Sequence, residues 1–186
     1  MALPEVDHTE TVIVTGASSG ISAALARELA GRGRALTLVA RRRDRLAELA
    51  AALRTTAQVD TVVADLSLPD DRDRFLSSVA EQGLAVGGLV NCAGLGTVGR
   101  VDHVDGRREL HSVRVNVEAL IDLPTRAVPL MAPPGRGIVL HVAGTVRDRR
   151  ARHRPTHGHP RPGKPGDGTA APTFSYSPLS ARRSQR

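Results

Sequence analysis

The sequence predicts an α/β fold, a doubly wound parallel sheet, on three observations. Short apolar runs alternate with helix-length stretches in which apolar residues recur at three- and four-residue steps. The first run, Val12-Ile13-Val14, is β-branched throughout, the composition of a parallel strand buried on both faces. That run breaks at Gly16 into a turn of two serines and Gly20, which opens a helix. In such a turn the unpaired N–H groups and partial positive charge of a helix N-terminus face outward, a ready site for an anion.

In chain order, the first helix carries Ile21, Leu25 and Leu29 at four-residue steps. Ala35 to Ala40 reads as a second strand, and the segment RRRDRLAELAAAL as a helix with Leu46, Leu49 and Leu53 on one side. A right-handed crossover lays the second strand beside the first, its C-terminal end near the glycine turn. Arg41 and Arg42 therefore stand where an adenosine ribose lies if the turn holds a dinucleotide. A carboxylate there would bind the free 2′-hydroxyl of NAD, whereas arginine complements the 2′-phosphate of NADP; the same arginines also suit the solvated start of a helix. Val59 to Ala64 makes a third strand, ended by Asp65-Leu66, and with Ser67 and Pro69 following, Asp65 also reads as a helix cap. A helix through Phe75 and Val79 leads to the fourth strand, Gly88-Leu89-Val90, which runs into Asn91-Cys92-Ala93-Gly94. Asp105 to Met131 is helical in pattern and contains Asn116. Pro124 and Pro129 lie inside it, and an interior proline costs about 3 kcal/mol, so a break is expected near Leu123 or Val128. Gly137 to Ala143 is a fifth strand, and the predicted strand order is 3-2-1-4-5.

These motifs resemble those of the short-chain dehydrogenase/reductase family. TGASSGIS is similar to its TGxxxGxG cofactor motif, with Thr15, Gly16 and Gly20 in place and Ser22 where the last glycine belongs. Asn91 to Gly94 resembles its NNAG signature, with Cys92 for the second asparagine, and Gly137 onward resembles its GxIVNVSS region. The resemblance implies a Rossmann-like sheet and an oxidoreductase that interconverts a carbonyl and an alcohol by hydride transfer with NAD(P). Carried onto this chain, it implies cofactor contacts from Thr15, Gly16, Ser18, Ser19, Gly20 and Ile21. Asp65 would accept the adenine amino group beside Leu66, while Asn91, Ala93 and Gly94 would pack under the cofactor. NADP is favoured over NAD through Arg41 and Arg42. Asn116 stands where the family's long helix carries its active-site asparagine, which holds a water for proton relay. A steric role for the glycine turn and a solvated Asn116 are the plainer alternatives.

The rest of the family's chemistry does not follow. Gly144, then Thr145, occupy the slot of its catalytic serine, and the tyrosine and lysine slots of its YxxxK segment fall near His157 and Arg161. Tyrosine, with an ordinary pKa of about 10, serves as acid or base near neutrality only when a cation lowers that value. Tyr176 in SYSPLSA has Ser180 where lysine belongs, and Pro178 interrupts any helix there. Asn116 is the family's one catalytic position retained.

Composition divides the chain. Residues 1–146, with 16 arginines against 17 acidic residues, form the expected NADP-binding domain. Residues 147–186 hold nine arginines and one lysine against Asp148 and Asp167, six prolines, four glycines, and Leu179 as their only Leu, Ile, Val or Met. So little apolar surface does not offset ordering entropy, so a disordered tail is expected, with the sheet truncated after its fifth strand and that edge unpaired. Translation of a GC-rich gene in a shifted frame after about Thr145 accounts for this change, and for one lysine against 25 arginines. His153, His157 and His159 belong to the biased tail, and no metal site is expected.

Two other functions stay open, a dinucleotide-binding module without catalysis and a polyanion binder acting through the basic tail. With Phe174 and Tyr176 alone for base stacking, specific nucleic-acid recognition is not expected. No apolar run approaches the ~20 residues of a membrane span, MALPEVDHTE lacks a signal pattern, and the lone Cys92 has no internal partner. A cytoplasmic protein is the expectation. Its implied partners are the dinucleotide and a small carbonyl or alcohol, and the family's homo-oligomer interface is expected to be incomplete.

Overall fold

A computed structural model describes residues 9–81, 83, 85–96, 103–131, 137–143 and 173–178. Five parallel strands, β1 (Glu10–Thr15), β2 (Ala35–Ala40), β3 (Val59–Val63), β4 (Ala85–Asn91) and β5 (Ile138–Ala143), stand in the order β3-β2-β1-β4-β5. This is the Rossmann-like arrangement that the alternating runs predict. Successive side chains of a strand face opposite sides, so each strand feeds two cores. On one face Ile13, Val39, Leu89 and Val139 meet α3 (Pro69–Glu81) and α5 (Ala119–Ala127) through Phe75, Val79, Leu123 and Ala127. On the other, Val14, Leu36, Leu38 and Val90 meet α1 (Gly20–Gly31) and α2 (Arg43–Leu53). All six residues of β2 are buried.

Leu46, Leu49 and Leu53 form the buried side of α2, as their spacing predicts. In α1 the buried stripe is Ser22, Ala23, Ala26 and Ala30, one position on from Ile21, which is 45% exposed, while Leu25 and Leu29 pack at its flank. Small side chains let this helix lie close to the sheet, which fixes its N-terminus near the end of β1.

The long helical segment takes the second of the two expected break positions and passes through Pro124. It runs as α4 (Gly106–Val113), one π-helical turn (Arg114–Glu118) and α5, then tightens to a 3₁₀ turn at Val128–Leu130. The chain changes at Val128 as predicted, but no break occurs at Leu123. Pro124 removes the donor that the Leu120 carbonyl would otherwise receive, and the side-chain amide of Asn91 reaches that carbonyl at 3.4 Å. An outside donor thus satisfies what the proline leaves open.

The five parallel strands are as expected, but the outer edge of β5 is not left unpaired. Thr173–Pro178 forms β6, antiparallel to β5 on its outer edge, with Leu140 opposite Tyr176. An open edge is a template for pairing, and Thr, Phe and Tyr are strand formers despite the poor apolar content around them. Pro178 ends the pairing at the edge, where proline is tolerated. The rest of residues 147–186, and the expectations for Gly144, Thr145, His153, His157, His159, Arg161 and Ser180, lie outside the described residues. Among the described residues no helix is long and apolar enough to cross a membrane, and no cluster of His, Cys, Asp or Glu could hold a metal ion.

Candidate functional site

The C-terminal ends of the parallel strands open into a cleft of about 670 Å³. It lies where the strand order reverses between β1 and β4, the position at which doubly wound sheets bind ligands. Its size is that of an ordinary small-ligand pocket.

The floor is the turn from β1 into α1. Gly16 has φ +70°, and a Cβ there would lie 2.8 Å from the Cα of Ala93, so both the backbone conformation and the approach of the β4 loop require glycine. Gly20 also has positive φ, at +63°, but no atom lies within 4 Å of its missing Cβ. Ser19 begins α1 with no side-chain cap, and no acidic residue occupies the first turn. The first N–H groups of the helix therefore lack a partner from their own chain's caps, and Gly20, Ile21 and Ser22 all line the cleft. These residues fit a pyrophosphate.

Ser18 and Ser19 are turned to another use. Arg42 donates to the Ser18 hydroxyl at 2.9 Å and to that of Ser19 at 2.6 Å, so a guanidinium lies across the mouth of the turn. Arg41, also on the rim, donates to Nε2 of His111 at 2.9 Å and stands 3.8 Å from a carboxylate oxygen of Asp65. Arg41, Arg42, Asp65 and Leu66 all line the cleft, as do Ala93 and Gly94.

Thr15 and Asn91 do not line it. Thr15 is fully buried, and its hydroxyl accepts the backbone N–H groups of Cys92 and Ala93, each at 3.0 Å. The same hydroxyl can donate to Asn91 Oδ1 at 3.3 Å. Asn91, 2% exposed, bridges Thr15 to Leu120. Both residues shape the loop under the cleft from behind.

Ser22 answers for the missing third glycine. Its hydroxyl donates to the Cys92 carbonyl at 3.4 Å, tying the start of α1 to the end of β4. Burial pushes the Cys92 thiol up, and the Ser22 hydroxyl pulls it partly back.

Asp65 does not cap α3, which begins at Pro69; its carboxylate accepts the N–H of Ser67, in the turn before that helix, at 3.0 Å. Its own N–H donates to Asp71 at 2.7 Å, and that hydrogen bond, assisted by Arg74, holds the Asp71 carboxyl below its usual range against the opposing effect of burial. Asn116, in the π-helical turn, exchanges two hydrogen bonds with Leu95, accepting from its N–H at 2.9 Å and donating to its carbonyl at 2.7 Å. Its amide is engaged in fixing the loop after β4.

Sequence reasoning missed Asp71, Arg72 and His111. Arg72 is 6% exposed, donates to the Leu66 carbonyl at 2.8 Å and pairs with Asp122 at 2.6 Å, so it holds the β3 loop against α5. No motif marks these residues. They meet the site through partners 6 to 70 positions away.

The short chain dehydrogenase family model matches residues 10–155. Over 100 residues the chain is 40% identical to 11-beta-hydroxysteroid dehydrogenase 1A of Arabidopsis thaliana, covering 53% of this chain and 29% of that protein. L-sorbose reductase from Gluconobacter frateurii, solved with NADPH and L-sorbose, superposes with a TM-score of 0.66 at 31% identity, covering 71% of this chain and 51% of that one. A short-chain dehydrogenase from Sphingobium yanoikuyae in complex with NADPH gives 0.59 at 36% identity, covering 64% and 47%. The chain spans 29% to 57% of the length of the curated relatives it matches.

Proposed function

This chain belongs to the short-chain dehydrogenase family, and from that premise we propose that it is the dinucleotide-binding part of an NADP-dependent oxidoreductase acting on carbonyl and alcohol groups. The observation that carries the reading is the uncapped start of α1 beside Gly16 and Gly20, in a cleft rimmed by two arginines. When bound, the nicotinamide supplies hydride transfer. The residues of this chain bind and orient it. The first N–H groups of α1 hold the pyrophosphate, Gly20 leaves room for its approach, and Arg41 and Arg42 meet the 2′-phosphate of the adenosine ribose. Asp65 keeps a carboxylate oxygen for the adenine amino group after the other has accepted from Ser67. Thr15, Asn91 and Asn116 position the loop on which Ala93 and Gly94 sit.

Residues 1–146 form the binding domain in this reading. The chain has one tyrosine and no YxxxK segment, which supports binding without turnover at enzyme rates.

Isothermal titration of the full chain with NADPH and with NADH tests the reading. Tighter binding of NADPH is expected, and Arg41→Asp should narrow or reverse the preference. An unchanged ratio would remove Arg41 from cofactor selection, and no binding of either dinucleotide would end the proposal.

A further inference from the structure

Beside the cleft, and joined to it through Arg41 and Leu95, lies a second hollow of about 290 Å³. Arg107, Arg108, His111 and Ser112 of α4 line it, so two arginines and an imidazole converge there with Arg41. The contact that matters is Arg41 Nη1 to His111 Nε2 at 2.9 Å. A guanidinium has only donors, so the imidazole must accept, which requires it to be neutral with its proton on Nδ1.

We propose that His111 is a specificity-determining residue of the dinucleotide site, which holds Arg41 when neutral and, when protonated, becomes a further cation for the 2′-phosphate. This rests on the reading that the cleft binds NADP. The charged groups around the imidazole are Arg41 at the end of β2, Asp65 at the end of β3 acting through Arg41, and Arg107 and Arg108 on α4 itself. Without a ligand, the contact with Arg41 needs a neutral imidazole, because a guanidinium only donates and Nε2 must accept. A phosphate seated between Arg41 and His111 removes that need. Arg41 turns its donors to the phosphate, the imidazole loses its donor partner, and its freed Nε2 takes a proton from solvent and donates to the anion. NADPH binding therefore takes up a proton, whereas NADH, with no 2′-phosphate, leaves the Arg41–His111 contact in place.

The test measures NADPH and NADH affinity for the full chain at about pH 6.5 and about pH 8, on either side of the imidazole range. The protein is compared with His111→Asn and His111→Arg, and the readout is the NADPH preference relative to His111→Asn, which cancels the ionisation of the phosphate itself. That relative preference should rise about three- to fivefold from the higher to the lower pH, the size of an exposed ion pair. His111→Arg, charged at both pH values, should keep the higher preference throughout. The inference is overturned if the protein tracks His111→Asn at both pH values while binding both dinucleotides, or if His111→Arg matches His111→Asn at about pH 8. Failure to bind either dinucleotide overturns the underlying reading, and this inference with it.

Discussion

The hydroxyl of Thr15 accepts two backbone N–H groups, those of Cys92 and Ala93, in a place where no solvent reaches the side chain. Replacing it by valine keeps the shape and removes the acceptor, which leaves buried donors unmade at a cost of about 1–3 kcal/mol. Thr15→Val should therefore lower the unfolding free energy from urea denaturation by that amount, and unchanged stability would mean that the loop finds other acceptors. Thr15 also marks how far single residues were legible. A motif letter located it beside the cofactor turn, but its partners come from residues 77 and 78 positions later, and no local pattern names them. Gly16 and Gly20 look equivalent as letters, whereas one is forced by a backbone contact and the other faces open space. Arg41 was placed at the rim by the strand before it. Its contact with His111 depends on how α4 packs, which the helical spacing of α4 does not specify.

At the scale of elements, a break is expected near Leu123 or Val128, and the helix continues through Pro124 and tightens at Val128. Pro124 is accommodated because a side chain on β4 supplies the missing donor. Asn91 and Pro124 should therefore be energetically coupled. Asn91→Ala alone strips the Leu120 carbonyl of its partner, while Pro124→Ala restores a backbone N–H for it, so the double variant should be less destabilised than the sum by about 0.5–1.5 kcal/mol. Additive effects in a denaturation cycle would show that the Asn91 contact is incidental. The start of α3 offers a pH test. Asp71 has a lowered pKa in the folded chain, so the folded state holds fewer protons than the unfolded state as pH falls toward the usual carboxylate range. Its contribution is present above about pH 4 and is lost as pH drops through the folded value. Asp71→Asn should be less stable than the parent near neutrality and converge with it in strong acid. A constant gap across that range would assign the effect to packing.

For the whole molecule, the strand order was legible because each apolar run has strand length, each intervening helix has its own stripe, and right-handed crossovers leave few ways to arrange them. β6 was not, because its pairing is decided by the edge that β5 presents rather than by apolar content of its own. The division of chemistry follows from the same arrangement. The strand ends and the start of α1 assemble the cleft proposed for the dinucleotide, but the described residues around it include no lysine-activated tyrosine. Tyr176 stands opposite Leu140 in an edge strand, and no lysine follows it anywhere in the sequence. Positioning a hydride donor does not by itself complete carbonyl reduction, since the alkoxide that develops needs a proton donor and a preorganised partner, each contributing roughly 10² to 10⁴ in rate. The 186-residue chain should accordingly bind NADPH and fail to oxidise it with a panel of ketones and aldehydes. Initial rates followed by loss of nicotinamide absorbance are the measurement. Turnover at about 1 per second or faster, within the usual range of enzymes, would sink the prediction and direct attention to Tyr176. Binding without turnover would separate the two halves of the family's function, with the cofactor held by the first five strands and the proton chemistry supplied by residues this chain does not contain.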